Sequence, residues 1–229
     1  MSRKALVIFS GGQDSTTCLY WARREFDEVE AITFDYGQRH EVELGCAREI
    51  CARLGVAQTI IDLSFFGSLN QNALTDASLA LKTDGGFQNL PTSFVPGRNA
   101  LFFTVAASYA VPRGFLNLVT GVCQTDYSGY PDCRAEFVRS MEQSLGLALD
   151  VKLDIHTPLM LLTKAETFEL AKNLDALETV LEMSNTCYEG DRTHRHAWGY
   201  GCGVCPACEL RAQGWEAFAG PGLASEINL

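Results

Sequence analysis

The 229-residue sequence has no apolar run long enough to cross a bilayer. Its longest apolar stretch, residues 100–111, contains Thr104, Ser108 and Tyr109 and falls short of the roughly 20 residues that a membrane-spanning helix needs. The first residues lead directly into a predicted strand and lack the apolar core and the cleavage site of a signal peptide. We therefore expect a cytoplasmic protein that has no membrane partner.

Positive charge is also scarce. The sequence has 18 Lys and Arg residues against 28 Asp and Glu residues, which gives a net charge of −10. Nonspecific binding of nucleic acid depends on positive charge, so we expect no large RNA- or DNA-binding face, although a local basic patch stays possible. With 47% hydrophobic and 20% charged residues the chain should be globular, and its length suits one α/β domain with a small appendage.

Cysteine, in contrast, is abundant. Disulfides are rare in the cytosol, so nine cysteines indicate metal binding or catalysis. Five are scattered, and four gather near the end: Cys187, Cys202, Cys205 and Cys208. Four thiolates satisfy a tetrahedral zinc ion, so we predict a structural Zn²⁺ site. An iron–sulfur cluster is the alternative, but nothing else in the sequence calls for electron transfer. His194 or His196, between the ligands, could also replace one cysteine.

The segment Phe9–Ser15 combines the end of a buried strand, a Gly-Gly turn and the start of a helix. The glycines allow the backbone to approach an anion, and the free N–H groups of the first helical turn point toward it. Hydroxyl donors are added by Ser10, Ser15, Thr16 and Thr17. The segment lacks the Lys-Ser/Thr ending of a Walker A loop. A plain turn with a helix cap is the alternative interpretation.

Strands and helices alternate along most of the chain, which predicts a doubly wound parallel sheet. The predicted strands are Ala5–Phe9, Glu28–Phe34, Ala57–Asp62, Phe115–Gly121 and Val151–His156. The predicted helices are Ser15–Glu25, Glu41–Leu54, Ala100–Val111, Cys133–Leu147, one that Thr163 caps in a capping box with Glu166, and one that begins near Cys208. Residues 64–95 interrupt this order, as a mobile lid or a passive surface excursion. We predict an α/β domain over residues 1–180 and a small helical zinc-binding region over residues 181–229.

Three further groups are candidates for the site. Arg98 follows a glycine at the start of the predicted apolar helix, with Asn99 as its N-cap, and could bind a phosphate or a carboxylate. Lys164 occupies a first helical turn, where a cation is disfavoured unless a negative ligand is near, so it is a candidate phosphate contact. A polar and aromatic segment leaves the carboxyl end of the fourth strand, where open α/β sheets bind ligands; its candidate residues are Asp126, Tyr127, Tyr130 and Asp132.

Residues 10–15 resemble the Ser-Gly-Gly-x-Asp-Ser loop of the ATP pyrophosphatases, the PP-loop family, which cut ATP between its α- and β-phosphates. Further motifs are similar to the QueC family, the 7-cyano-7-deazaguanine synthases. They are Thr33–His40, Phe94–Asn99, Gly121–Cys123, Asp126–Arg134, Thr186–Tyr188 and the Cys202–Cys208 triplet. The resemblance runs in order from about residue 4 to residue 215. Two departures concern loops: the linker between Cys187 and Cys202 is longer than the family pattern, and residues 64–90 follow no motif.

The resemblance implies an adenine nucleotide α-hydrolase-like fold, ATP with Mg²⁺ as the nucleotide, one structural zinc and a homodimer. It implies two adenylylation stages that convert 7-carboxy-7-deazaguanine and ammonia to the nitrile for queuosine biosynthesis, with no nucleic acid as substrate. Asp14, Arg98 and Lys164 are the expected catalytic residues, aided by backbone N–H groups of residues 10–16. The expected ATP site comprises Phe9, Ser10, Gly11, Gly12, Gln13, Asp14, Ser15, Thr16, Thr17, Cys18 and Leu19. The alternatives are a PP-loop tRNA thiolase and a zinc-stabilised nucleotide-binding protein without turnover.

Overall fold

The computed structural model of the chain describes residues 3–39, 42–69, 72–76, 78–125 and 129–223. Its centre is a five-stranded parallel sheet in the order β3-β2-β1-β4-β5. The strands are β1 (Lys4–Ile8), β2 (Glu28–Asp35), β3 (Ala57–Asp62), β4 (Asn117–Val119) and β5 (Asp154–His156). The second and third strands, β2 and β3, lie on one side of β1, and the fourth and fifth strands, β4 and β5, lie on its other side. The strand order therefore reverses between β1 and β4, which is where open α/β sheets form a ligand crevice.

Eight helices surround or extend this sheet in the described part of the chain. They are α1 (Gln13–Glu25), α2 (Val42–Leu54), α3 (Ser64–Gly67), α4 (Arg98–Ala110), α5 (Ala135–Leu149), α6 (Lys164–Asn173), α7 (Leu177–Glu182) and α8 (Pro206–Leu223). A two-stranded antiparallel ribbon, β6 (Arg195–His196) and β7 (Gly199–Tyr200), precedes α8. None of the described helices combines the length and apolar character needed to cross a bilayer.

Alternate residues of β1 enter two different cores, which explains why the strand is apolar throughout. Ala5 and Val7 pack with α1 and α2, whereas Leu6 packs with α4 and α5. Both faces of the sheet are therefore covered by helices, and the predicted doubly wound architecture is confirmed. The predicted bounds of β3 are identical to those observed, and α1 and α2 differ from the prediction by only one or two residues.

A third core joins α6, α7 and α8 beside the sheet. Phe168 packs edge-to-face on Trp215 with ring centroids 5.2 Å apart. A Cβ added to Gly214 would lie 2.6 Å from the Cβ of Lys164, so this glycine allows α8 to approach the start of α6. The same core includes Cys187, Cys205 and Cys208. The region that was predicted to bind zinc thus shares its core with α6, which precedes residue 180, and with α7, which spans it.

Two local predictions had different outcomes. The capping box of α6 is confirmed: the Thr163 hydroxyl accepts from the Glu166 N–H, and the Glu166 carboxylate accepts from the Thr163 N–H. The prediction of Asn99 as an N-cap is wrong. Gly97 takes a left-handed conformation with φ +78°, so α4 begins at Arg98 and Asn99 lies inside its first turn. The Asn99 N–H is instead satisfied by the side chain of Asp132, at 3.2 Å.

The strands and helices of the second half are shifted or shortened relative to the prediction. β4 spans only Asn117–Val119, because its pairing with β1 involves Ala5, Leu6 and Val7 alone. Within the described ranges β5 pairs with β4 alone, and it is equally short. The segment from residue 64 to residue 95 contains α3 and a short 3₁₀ turn at Phe87–Asn89. Its residues Phe66, Leu74 and Val95 form a small apolar cluster.

Candidate active site

A cavity of about 290 Å³ opens at the carboxyl edge of the sheet, next to the point where the strand order reverses. It is lined by the turn after β1, by residues at the ends of β2 and β4, by the starts of α2 and α4, and by residues 186–188. Charged groups that border it include Asp14, Arg98 and Glu43, and aromatic rings include Tyr36, Tyr130 and Tyr188. This combination suits a ligand that has both anionic groups and a flat ring.

The turn between β1 and α1 is held by its own hydroxyl groups. The N–H of Ser10 donates to Ser15 Oγ at 3.2 Å, and the N–H of Gly12 donates to Ser10 Oγ at 3.3 Å. The N–H groups of Asp14 and Ser15 have no acceptor among the residues that the structure describes. They lie in the first turn of a 13-residue helix, so an anion at this position would gain both hydrogen bonds and the helix dipole.

Two glycines let neighbouring backbone approach this turn. Gly11 has φ +85°, and an added Cβ would lie 2.7 Å from both the Ala47 nitrogen and the Glu43 carbonyl oxygen of α2. A Cβ added to Gly121, just after β4, would lie 3.0 Å from the Ser15 nitrogen. The turn is therefore packed between α2 and the end of β4, which fixes the direction of its N–H groups.

Asp14 and Lys164 form an ion pair at the edge of the cavity. Lys164 Nζ lies 2.8 Å from Asp14 Oδ2 and 3.0 Å from Asp14 Oδ1. The Lys164 side chain is only 9% exposed and that of Asp14 is 25% exposed. Lys164 is the first residue of α6, where the helix dipole disfavours a cation. The Asp14 carboxylate supplies a compensating negative charge from within the chain.

Arg98 presents a half-buried guanidinium to the cavity. Its Nη1 donates to the Tyr36 hydroxyl at 3.3 Å, and its Cζ lies 5.6 Å from the centre of the Tyr36 ring. No carboxylate of the described residues lies within ion-pair distance of it. Burial raises the pKa of Tyr36, although Arg98 opposes this effect. A half-buried cation that has no ion-pair partner among the described residues is suited to an anionic ligand.

Asp132 supports Arg98 from behind rather than entering the cavity. Its Oδ2 accepts from the Asn99 N–H at 3.2 Å, and its carbonyl accepts from Asn99 Nδ2 at 3.1 Å. Burial raises the pKa of Asp132, and the nearby Arg98 acts in the opposite direction. Asp132 therefore fixes the helix start that carries Arg98.

The four clustered cysteines converge beside the same cavity. Their Sγ atoms all lie within 4.8 Å of one another, and those of Cys202 and Cys208 are 3.9 Å apart. A tetrahedral site with Zn–S bonds of about 2.3 Å needs sulfur atoms about 3.8 Å apart, so the donor set fits such an ion. The N–H of Cys202 donates to Cys187 Sγ, and the N–H of Cys205 donates to Cys202 Sγ. Hydrogen bonds from Cys205 and Cys208 lower the pKa of the Cys187 thiol. The cluster can hold a metal ion.

Residues 185 and 186 connect this cluster to the turn after β1. The N–H of Asn185 donates to the Gly11 carbonyl at 3.0 Å. The N–H of Gln13 donates to Thr186 Oγ1 at 3.2 Å. Since Cys187 follows directly, the cysteine cluster fixes a segment that closes one side of the candidate phosphate site.

The family model described as "Queuosine biosynthesis protein QueC" matches residues 4–219. The chain belongs to the QueC family. Among curated relatives, a 7-cyano-7-deazaguanine synthase from Wolinella succinogenes is 52% identical over 219 residues, which cover 95% of this chain and 94% of the relative. Another, from Chromobacterium violaceum, is 54% identical and covers 93% of this chain and 88% of the relative. A third, from Nitratidesulfovibrio vulgaris, is 48% identical over 228 residues, with 93% of each chain covered.

Solved structures confirm the fold class of this QueC-family chain. An NMN synthetase from Francisella tularensis has a TM-score of 0.50 at 15% identity and covers 98% of this chain and 82% of that chain. A 4-thiouridine synthetase, solved as an RNA complex with bound ATP, has a TM-score of 0.53 at 18% identity and covers 95% of this chain and 53% of that chain. At these identities the likeness concerns the fold alone.

The cavity brings together only part of the residue set that the sequence predicted. The predicted residues that border it are Phe9, Ser10, Gly12, Gln13, Asp14, Ser15, Arg98, Tyr130 and Cys187. Gly11 packs against α2, Lys164 reaches the cavity edge through Asp14, and Asp132 lies behind α4. Asp126 and Tyr127 lie outside the described residues.

Four of the residues that were predicted to bind ATP lie in the body of α1. Thr16, Thr17, Cys18 and Leu19 are buried. The Thr17 hydroxyl donates to the Gln13 carbonyl, and the Cys18 thiol donates to the Thr120 carbonyl. Their side chains therefore serve the packing of α1 on the sheet.

Sequence reasoning missed Glu43, which borders the cavity in the first turn of α2. Burial raises the pKa of Glu43 to about 7, while Arg98 acts in the opposite direction. No hydrogen bond or ion pair of its carboxylate is seen within the described part of the chain. Its position at the start of a helix that follows β2, on the ligand-binding edge of a parallel sheet, was the signal that would have identified it. Tyr36 and Thr186 lay inside motifs but were not singled out.

Proposed function

We propose that this chain is a 7-cyano-7-deazaguanine synthase, which converts 7-carboxy-7-deazaguanine and ammonia to the nitrile at the expense of two ATP molecules. Membership of the QueC family and relatives at about half identity over nearly the whole chain support this assignment. The single observation that carries it is that three features meet at one cavity: the N-terminus of α1, the Asp14–Lys164 pair and the Arg98 guanidinium, which has no ion-pair partner among the described residues.

The first stage must turn a carboxylate into an electrophile. A carboxylate oxygen of the substrate attacks the α-phosphorus of ATP, the bond from that phosphorus to the bridging oxygen breaks, and pyrophosphate leaves. Ammonia then adds to the acyl carbon and AMP departs, which leaves the amide. In the second stage the amide oxygen takes an adenylyl group in the same way, and loss of AMP and two protons from the amide nitrogen leaves the nitrile. Both stages require the site to stabilise negative charge on departing pyrophosphate.

The residues of the cavity have matching roles in this proposal. The N–H groups of Asp14 and Ser15 bind the outer phosphates at the start of α1. Arg98 binds the carboxylate of the substrate or the α-phosphate of ATP. The rings of Tyr36 and Tyr130 border the flat bicyclic ring of the deazaguanine. Lys164 holds Asp14 in place and contributes positive charge beside the phosphates. Mg²⁺, held in part by Asp14, would neutralise phosphate charge when bound.

The remaining assignments belong to the same proposal. The four cysteines hold a structural zinc ion, because four thiolates at tetrahedral spacing leave no open position for a substrate. The enzyme acts as a homodimer, the small-molecule partners are ATP, ammonia and the deazaguanine, and no nucleic acid is bound. The α/β domain extends over residues 1–180, with the zinc-binding region over residues 181–229 packed on it.

The test is direct. The purified chain is incubated with ATP, Mg²⁺, ammonium and 7-carboxy-7-deazaguanine, and the products are quantified by mass spectrometry and chromatography. We expect the nitrile together with two AMP and two pyrophosphate per product. Formation of ADP and orthophosphate in place of AMP would contradict the proposal. Metal analysis of the same sample should give zinc, whereas iron with labile sulfide would favour a PP-loop thiolase.

A further inference from the structure

The Thr186 hydroxyl lies at the turn after β1 and has both of its acceptor positions occupied. Its Oγ1 accepts from the Gln13 N–H at 3.2 Å and from Arg211 Nη1 at 3.2 Å. A hydroxyl offers two acceptor positions and one donor. The hydroxyl proton is therefore the only hydrogen-bonding capacity that Thr186 has left, and it has no acceptor among the described residues.

The position of this hydroxyl points to an anion as its missing partner. Thr186 borders the cavity, and a Cβ added to Gly12 would lie 3.8 Å from Thr186 Oγ1. The free N–H groups of Asp14 and Ser15 belong to the same turn. A ligand that reaches those N–H groups is therefore within reach of the Thr186 proton.

Arg211 makes this hydroxyl a better donor. Its side chain is almost fully buried, and it also donates a hydrogen bond of 2.7 Å from Nη2 to the Val180 carbonyl. Burial lowers the pKa of Arg211 to about 10, with Asp14 opposing the effect, so the group stays cationic at neutral pH. A cation that donates to a hydroxyl oxygen polarises the O–H bond and strengthens the hydrogen bond that the proton can make.

We propose that Thr186 is a pyrophosphate-binding residue whose hydroxyl proton is directed at an outer phosphate oxygen by the two donors that occupy its lone pairs. The inference rests on the proposed function, because pyrophosphate is the product that leaves from this turn. It gives the cysteine cluster a role beyond stability, since the cluster begins at the next residue and holds Thr186 against the turn. Pyrophosphate gains negative charge as it leaves ATP. A hydrogen bond from Thr186 that strengthens with this charge would stabilise the transition state of adenylyl transfer.

The experiment measures binding of inorganic pyrophosphate, with Mg²⁺, to the metal-loaded full chain by calorimetry. Thr186→Val removes the hydroxyl and keeps the shape, and Thr186→Ser keeps the hydroxyl. A hydrogen bond to a charged group is worth enough that Thr186→Val should weaken pyrophosphate binding about tenfold or more, while Thr186→Ser stays within about threefold. Thr179→Val is the matched control, since it removes a buried hydroxyl that bonds Tyr20 away from the cavity.

The outcomes are separable. Wild-type affinity in a folded Thr186→Val variant would overturn the inference, and so would an equal loss in Thr179→Val, which would mark a general effect of lost stability. If Thr186→Val fails to fold, Thr186→Ala, which leaves room for water beside Gln13 and Arg211, is compared with Thr186→Ser in the same titration. A wild-type chain that forms AMP but does not bind pyrophosphate would overturn this inference and leave the proposed function intact. A chain that does neither would overturn both.

Discussion

Lys164 Nζ contacts both carboxylate oxygens of Asp14, at 2.8 Å and 3.0 Å, across 150 residues of sequence. The contact joins the first turn of α6 to the first turn of α1. The sequence offered Asp14 and Lys164 as two separate candidates. In the structure they form one ion pair, so we expect them to act together. The lysine side chain is only 9% exposed, so removal of the Asp14 carboxylate takes a negative charge away from a largely buried ammonium group, which is costly.

This pairing predicts strong coupling in a double-mutant cycle. Asp14→Asn and Lys164→Met should each reduce the rate of AMP formation by about 100-fold, because each change misplaces the same group at the phosphates. The double variant should lose little more, with a coupling energy of about 2–3 kcal/mol. The measurement is kcat/KM for ATP in the four proteins, with thermal melting to confirm folding.

The control for this cycle is Lys172→Met, which removes an exposed lysine at the other end of α6. It should leave kcat/KM within about twofold of wild type. Strictly additive losses for Asp14→Asn and Lys164→Met would show that the two side chains act independently and would contradict the single-unit interpretation.

Removal of the metal should weaken nucleotide binding as well as stability. Cys205→Ser deletes one thiolate of the cluster, and metal binding is linked to folding at such sites. Because Asn185 and Thr186 bond the turn at Gly11 and Gln13, we expect KM for ATP to rise about tenfold together with a lower Tm. The measurements are metal content by mass spectrometry, Tm by calorimetry and steady-state kinetics.

Cys51→Ala serves as the control for metal removal, since Cys51 is a buried cysteine of α2 outside the cluster. It should lower Tm moderately through lost packing and leave the metal content and KM for ATP unchanged. A Cys205→Ser protein that retained one metal per chain, or that lost metal without any change in KM, would refute the link between the cluster and the turn.

The parts of the fold that were predicted correctly depend on local patterns. The apolar run of β1, the helical spacing in α2 and the capping residues Thr163 and Glu166 each specify their own structure. The family motifs likewise indicated the QueC family, which the relatives confirm. The convergence of four cysteines followed from their spacing and from the chemistry of thiolates.

The parts that were missed depend on contacts between distant segments. Asn99 is a residue type that favours the N-cap position. The helix starts earlier, because Gly97 is left-handed and because the Asn99 N–H donates to the carboxylate of Asp132, 33 residues later. The hydrogen bond from Gln13 to Thr186 spans 173 residues. Neither contact leaves a periodic signal in the sequence, because side-chain partners across a fold are set by tertiary packing rather than by local propensity.

Glu43 should make the stability of the fold depend on pH. Its pKa is raised from 4.5 to about 7 in the folded chain, chiefly by burial, with Arg98 and Cys187 as the charged groups that act on it. A raised pKa means that the neutral form favours the folded state, so this stabilisation is full below about pH 4.5 and is lost as the pH rises through about 7. Glu43→Gln should therefore exceed wild type in stability by about 1–3 kcal/mol at pH 8.5, and by much less at pH 5.5.

The measurement for Glu43 is the free energy of unfolding in urea for both proteins at the two pH values. Glu49→Gln is the control, because Glu49 is exposed on the same helix, and its difference from wild type should not change with pH. A constant difference between Glu43→Gln and wild type would show that Glu43 is already ionised at low pH. A buried carboxylate that lowers stability is often retained because it serves activity. A loss of turnover in Glu43→Gln would show that the Glu43 carboxylate contacts a ligand.

Addition of a single methyl group at Gly11 should disrupt the turn between β1 and α1. Its φ of +85° disfavours any side chain, and an added Cβ would lie 2.7 Å from the backbone of Glu43 and Ala47. Because neither backbone atom can rotate away, Gly11→Ala should cost about 2–4 kcal/mol of stability and should abolish ATP binding. Gly45→Ala, at an open position in α2, should instead stabilise by about 0.5–1 kcal/mol. Urea unfolding and ATP titration of both variants make the comparison, and a Gly11→Ala chain with wild-type stability and affinity would show that α2 does not constrain the turn.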